Sequence, residues 1–362
     1  MGGFISLYEN YKTLGKRAAL MTLSEMERLF CGSVTKVSQT PSRVISQKGK
    51  IKVAYYPSAK DKTHTIPIFI ITPLLANPFI LDLCPGLSFI EYLVNQGFNV
   101  YIIDYGVPDD YDKHQGFEDY LLDYIPFAVK KVQEASGSRL IHLIGYCLGG
   151  VFALLYPALI ESAPLKSMVL IATPVDFSKL GLLRSYWRNI DVDTLVETIG
   201  NIPAELILTG FNLAASIENP RRYFMRVMGS WIKIMDKNYI RKELLINRWL
   251  IESPPFPGKA FQQFIKDLLY ENKLVKNKLK INGKLADLTN IGCPLLLLSH
   301  RGDIVAPPES SRALLDLASS KDVEFVEVKG GDRGHINIMV GAEGPQFTWP
   351  KVSSWLKKRS GP

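Results

Sequence analysis

The chain has 362 residues, 47% hydrophobic and 22% charged, an ordinary globular balance with length for a full core. A formal charge of +8 suits an anionic substrate or surface, but no basic stripe interleaves with aromatics, which argues against nucleic acid. No uninterrupted apolar run reaches the roughly 18 residues of a membrane span, and Cys31, Cys84, Cys147 and Cys293 show neither a C-x-x-C pair nor metal-ligand spacing, which argues against zinc and any resident metal.

Few cysteines and no secretory signal point to a reducing cytoplasm. Met1-Gly2-Gly3-Phe4-Ile5-Ser6 fits an N-myristoylation pattern, but so short a match is common by chance. Leu20, Leu23, Met26 and Phe30 fall at helical spacing, so residues 1–40 read as a helical extension packed on the body or on a partner. Residues 44–56 read as a hairpin turning near Lys48-Gly49, and Ile66 to Thr72 as a short buried strand. A helix is expected over 85–97, a strand over Phe98 to Asp104, and a helix from Phe117 to Ala135.

Next comes the stretch on which the reading turns. Arg139 to Ile144 reads as a buried strand, Val151 to Ile160 as a helix, and between them lies Gly145-Tyr146-Cys147-Leu148-Gly149-Gly150. Strand, G-x-C-x-G, helix is the nucleophile elbow of an α/β-hydrolase with cysteine in place of serine. Gly145 and Gly149 are expected to permit close backbone approach and unusual φ values, and the helix N-terminus behind the sulfur favours a thiolate and an oxyanion. An unpaired cysteine is most often a small buried hydrophobe. The context reverses that reading provided a base and an acid follow.

After a strand from Ser167 to Thr173 the alternation stops. Residues 177–285 are helical in pattern and rich in Trp, Tyr, Phe and Met, and are read as an inserted cap over the nucleophile. The sheet pattern resumes with Cys293 to His300, then a helix from Glu309 to Ser319, a strand from Val323 to Val328, and a last helix from Trp349 to Leu356. The fold expected is therefore a mostly parallel α/β sheet flanked by helices, with core segments 41–176 and 286–362.

Cys147, Asp303 and His335 each fall just past a strand end, in the chain order nucleophile, acid, base. His64 and His114 read as solvated and His142 as structural, which leaves His300 as the competitor of His335. A free thiol titrates near about 8.5, so it needs an imidazole, and the imidazole needs a carboxylate to fix its tautomer. Asp303 is the expected carboxylate and Asp332, close to the ring in sequence, the alternative. The backbone amides of Leu148 and Leu75 are the expected oxyanion donors. Cysteine favours acyl transfer, because exchange of one thioester for another keeps the acyl group activated.

Several motifs in the right order extend the reading: Phe79-Ile80-Leu81-Asp82-Leu83, Ile103 to Asp109, the elbow itself, Thr173 to Phe177, Asn201 to Leu206, and Phe264 to Asp267. With these the chain resembles a polyhydroxyalkanoate synthase of the short kind, the catalytic subunit that works with a second subunit. The resemblance implies that Cys147 carries a growing polyester as a thioester, with His335 activating the thiol and the incoming 3-hydroxyl and Asp303 supporting it. It implies a short 3-hydroxyacyl-coenzyme A substrate, no resident cofactor, a homo-oligomer such as a dimer, and a cytoplasmic polyester granule surface. The chain departs from the family at Tyr105, where Trp is usual, at Ala76-Asn77, at Ile304 after the acid, and in the longer approach Gly330 to His335. A thiol-dependent thioesterase or esterase would use the same triad, and a non-catalytic granule-associated relative is the third reading.

Overall fold

In the computed structural model, which describes residues 2–61, 63–218, 236–330 and 334–360, the apolar runs assemble into one eight-stranded sheet. Its strands are β1 (Arg43–Lys48), β2 (Ile51–Tyr56), β3 (Ile68–Ile71), β4 (Val100–Asp104), β5 (Ile141–Tyr146), β6 (Leu165–Ile171), β7 (Leu295–His300) and β8 (Val323–Val328). They lie in the order β1-β2-β4-β3-β5-β6-β7-β8. β2 runs antiparallel to both neighbours, and every pair from β4 to β8 is parallel. Ile71 pairs with both Ile103 and Gly145, so β3, β4 and β5 end at one level.

The main helices are α1 (Gly2–Cys31), α2 (Phe89–Asn95), α3 (Ile125–Ser136), α4 (Leu148–Leu159), α5 (Gly181–Arg188), α6 (Val192–Ile199), α7 (Ala204–Glu218), α8 (Lys237–Glu252), α9 (Gly258–Gln263), α10 (Pro308–Arg312), α11 (Gly334–Val340) and α12 (Trp349–Lys357). Strand alternation splits the core between the sheet's two faces. Phe69 and Ile71 pack in one cluster with residues of α3 and α4, Ile68 and Ile70 in the other with residues of α2 and α12. Local chemistry sets the boundaries. Gly137 takes the left-handed conformation that ends α3, and Asp236 accepts the amides of Asn238 and Tyr239 to start α8. Ser253-Pro254-Pro255 stops α8.

Three stretches differ from the sequence reading. The helix expected over 85–97 begins only at Phe89, because Gly86 turns a small hairpin pairing Asp82–Cys84 with Leu87–Ser88, and Ser88 caps α2 by accepting the Glu91 amide. The helix after Glu309 breaks at Ala313 into a 3₁₀ turn reaching Asp316. Within 177–285 the described residues form α5 to α9, a π-helical stretch Phe264–Tyr270, and a hairpin of Lys280–Ile281 with Lys284–Leu285. Asn282 and Gly283, both at positive φ, make the turn of that hairpin. Residues 219–235 of the expected cap lie outside the described residues.

His142 sits wholly buried in β5. Ser360 Oγ donates to the Leu356 carbonyl at 2.8 Å, so it accepts from His142 Nε2 at 3.0 Å, and Nδ1 then accepts from Ser167 Oγ at 2.7 Å. The neutral ring thus joins the central strand to the end of the described chain. Burial, with Lys166 nearby, pushes its pKa from 6.5 down to about 3. The folded value lies below the unfolded one, so the unfolded chain takes the proton first as pH falls. This stabilisation is complete above 6.5 and fades between 6.5 and about 3. Over the whole window the loss is on the order of 5 kcal/mol. Urea midpoints are expected to fall steadily as pH is lowered from 7 to 4, and an unchanged midpoint would refute this.

Candidate active site

Cys147 stands at the bend between β5 and α4 with φ 55° and ψ −126°. A non-glycine residue held there is strained by about 1–3 kcal/mol. The surroundings enforce it. The Cys147 amide donates to the Ile171 carbonyl at 2.9 Å, and its carbonyl accepts from Gly150 at 2.9 Å. The sequence reading gave the unusual φ to the glycines, and the structure corrects this: the cysteine itself carries it. The glycines supply room instead. A Cβ on Gly145 would meet Gly150 Cα at 2.5 Å, and one on Gly149 would meet the Ile71 carbonyl oxygen at 2.3 Å. Even one methyl therefore collides with backbone, and the elbow lies directly against the end of β3.

His335 lies in the first turn of α11, just past β8, where the sequence suggested a loop. Its Nδ1 is 2.8 Å from Asp303 Oδ2. The Asp303 side chain is fully buried and the ring 17% exposed. The other carboxylate oxygen, Oδ1, accepts the Val305 and Ala306 amides at 2.8 and 2.9 Å, so the carboxylate is fixed from behind. Burial opposes a charge on the His335 ring. The negative charges of Asp303 and Cys147, and their hydrogen bonds to the ring, outweigh it and hold the pKa well above the usual imidazole value. Tyr146, the residue before Cys147, stacks on the His335 ring, which puts the elbow beside the imidazole. Asp332 lies outside the described residues.

Tyr146, before the nucleophile, adds a feature that the sequence reading missed. Its ring stacks on the His335 ring at 5.6 Å and 24°, and its hydroxyl donates to the His335 carbonyl at 2.9 Å. Burial, and then the charges of Cys147 and Asp303, hold this phenol well above its ordinary range, so it remains a neutral donor. Only its place inside the elbow motif could have flagged it.

The other histidines and cysteines have surroundings of their own. His300 is buried at the end of β7, and its Nδ1 accepts the Gly302 amide at 3.0 Å. His64, expected in solvent, stacks half-buried on Phe98 at 4.3 Å because the chain folds it against the start of β4. Cys84 and Cys293 are held as thiols by burial, Cys293 up to about 12. Leu148 opens α4, so its amide has no partner a turn earlier in the helix. Leu75 is half-buried in the loop after β3, which begins against the elbow. Among the described residues no group of three or more His, Cys, Asp or Glu is placed to hold a metal ion, and no helix is long and apolar enough to cross a membrane.

Tyr105 follows β4 with a buried hydroxyl that meets no hydrogen-bond partner among the described residues. Its ring packs edge-on against Tyr120 at 5.3 Å. Tyr105→Phe keeps that packing and removes the unpaired group. It is expected to raise the unfolding free energy by about 1 kcal/mol, measured by urea denaturation. A loss of stability would show that the hydroxyl has a partner.

The arrangement offers a thiol at a helix start, an imidazole beside it, and a buried carboxylate behind the imidazole. Comparison with known proteins gives the family of the chain. Residues 68–215 match the α/β hydrolase fold family, and residues 6–93 match the family described as the poly-beta-hydroxybutyrate polymerase (PhaC) N-terminus. The poly(3-hydroxyalkanoate) polymerase subunit PhaC of Allochromatium vinosum is 32% identical over 343 residues, 92% of this chain and 93% of that protein. The protein of the same name from Haloferax mediterranei is 31% identical over 342 residues, 94% of this chain and 68% of the other. Among solved structures, a putative lipase from Sulfolobus solfataricus superimposes with a TM-score of 0.58, covering 90% of this chain and 99% of its own, at 17% identity. A monoglyceride lipase variant from Saccharomyces cerevisiae gives 0.56, covering 91% and 97%, at 13% identity. The lipases share the fold, and the sequence relatives share most of the chain: it belongs to the poly(3-hydroxyalkanoate) polymerase PhaC family.

Proposed function

We propose that this chain polymerises 3-hydroxyacyl-coenzyme A, with 3-hydroxybutyryl as the expected acyl group, into polyester through a thioester on Cys147. The observation that carries this reading is the His335–Asp303 hydrogen bond, with the His335 ring stacked on Tyr146 next to Cys147, at one end of the parallel strands. The Cys147 thiolate attacks the substrate's thioester carbonyl. The oxyanion that forms is met by the Leu148 and Leu75 amides. The bond to coenzyme A breaks, its sulfur takes the proton held by His335, and the acyl group stays on Cys147 as a new thioester. The 3-hydroxyl of a further unit then gives its proton to His335 and attacks that thioester. An ester bond forms and the Cys147 thiolate leaves. The acyl group arrives already activated, so the scheme calls on no resident cofactor.

The relatives are named as polymerase subunits, which supports an assembly with a second synthase chain. We place that assembly, a homo-oligomer of this chain included, at the surface of a polyester granule in the cytoplasm, with the helical stretch 177–285 as a cap that limits water. The test is to incubate the purified chain with 3-hydroxybutyryl-coenzyme A, alone and with a candidate second subunit, and to follow thiol release and polymer together. Release of coenzyme A with polymer is expected. Free hydroxyacid without polymer would make the protein a hydrolase, and no release under either condition would overturn the reading.

A further inference from the structure

The loop after β3 is held from outside the sheet. The Trp249 indole Nε1 on α8 donates to the Asn77 backbone carbonyl at 2.9 Å. Around that bond Leu245, Ile246 and Trp249 share one apolar cluster with Ala76, Phe79 and Ile80, so the face of α8 is seated on the loop. Ile338 and Met339 of α11, the helix that carries His335, belong to the same cluster. At its near end the loop is fixed to the sheet, where Thr72 Oγ1 donates to the Ile103 carbonyl at 2.9 Å. Leu75 lies between these two attachments.

The seat of α8 is itself gripped. α1 packs along α8, and Arg248 Nη1 donates to the Thr35 carbonyl at 3.4 Å in the segment that follows α1. α8 leaves the fold at Ser253-Pro254-Pro255, so its far end connects to the body through a short extended segment. A shift of α8 therefore reaches the loop through the indole bond and the apolar packing around it.

We propose that Trp249 is a positioning residue for acyl transfer. Its hydrogen bond to the Asn77 carbonyl makes the placement of the Leu75 amide, and with it the oxyanion hole, depend on the seating of α8. The inference rests on the reading of Cys147 as nucleophile. An oxyanion donor must sit within about 2.7–3.1 Å of the developing charge, and misplacement of about 1 Å costs on the order of 10²-fold in rate. The Asn77 carbonyl also accepts the Ile80 amide at 3.3 Å, a long bond inside the turn, and the indole at 2.9 Å is the shorter hold and the one that ties this peptide to α8.

The test uses the full chain and two readouts: the rate of coenzyme A release in a single turnover of 3-hydroxybutyryl-coenzyme A, and the rate of Cys147 alkylation by iodoacetamide, followed by peptide mass mapping. Alkylation needs the thiolate and His335 but no oxyanion hole. Trp249→Phe keeps a buried ring and loses the donor. It is expected to slow acylation about 10- to 100-fold, to change KM less than about threefold, and to leave alkylation within about twofold. Leu245→Ala trims apolar packing in the same cluster but leaves the indole bond and the position it fixes, and is expected to slow acylation no more than about threefold. Acylation at the parent rate in Trp249→Phe would overturn the proposal. So would equal losses in both readouts, or a loss in Leu245→Ala as large as in Trp249→Phe. If the nucleophile reading fails instead, the parent chain releases no coenzyme A, and the clamp falls with it.

Discussion

Cys147→Ala is expected to abolish turnover, lowering thioester consumption by on the order of 10⁶-fold, the scale on which removal of a triad nucleophile acts. Cys147→Ser is expected to fall nearly as far. A serine hydroxyl is far less acidic than a thiol, and the imidazole geometry that suffices for sulfur leaves oxygen protonated. The exchange also changes character. Thioester for thioester is close to balanced, whereas an oxygen ester on serine would hold the acyl group in a less activated form. Coenzyme A release followed with a thiol-reactive dye, together with intact mass for the acyl adduct, checks both variants. A Cys147→Ala chain that turns over within tenfold of its parent would remove the nucleophile assignment.

His335→Gln is expected to cost about 10³–10⁴-fold, the upper part of what a positioned acid–base contributes. Asp303→Asn should cost less in the acylation step. The reason lies in the contacts of the carboxylate. Oδ1 accepts the Val305 and Ala306 amides, and an asparagine oxygen still accepts there. The loss that remains comes from its NH₂, which would then face His335 Nδ1 and favour the tautomer protonated on the wrong nitrogen, while the imidazole itself stays in place. The ring also loses the charge that most raises its pKa. A base whose folded pKa lies above its ordinary 6.5 stays protonated as pH rises past 6.5, and gives up its charge only on reaching the raised value. Stability from that charge is therefore complete below 6.5 and lost as pH climbs through the raised value. The pH profile of Cys147 alkylation is expected to show this ring's step at lower pH in Asp303→Asn than in the parent. An identical profile in both would show that Asp303 does not tune the ring.

The elbow was legible because its chemistry is local: strand, small residues and helix are contiguous in the chain. The parallel sheet was legible for a similar reason, since strands buried on both faces are nearly continuous runs of Val, Ile and Leu. The hairpin at Asp82 to Ser88 was not, because Pro85-Gly86 and the Ser88 cap were absorbed into an apparent helical period. The hairpin turning at Asn282-Gly283 carried a recognisable signal, but the helical pattern around it dominated the reading. Tyr146 and Trp249 were beyond reach for a different reason. Each acts through one hydrogen bond to a backbone carbonyl far away in sequence, His335 for the first and Asn77 for the second. Residue type predicts that a buried Tyr or Trp will find an acceptor, not which one.

The crowding around Gly145, Gly149 and Gly150 bears on how this enzyme could be altered. A Cβ added to Gly150 would overlap Thr173 Oγ1 at 1.8 Å, and the other two positions meet backbone that has nowhere to retreat. Libraries aimed at new monomers therefore waste their diversity on these three codons. Diversity is better spent on the walls that the acyl chain would touch, with the elbow and the loop that carries the Leu75 amide left unchanged.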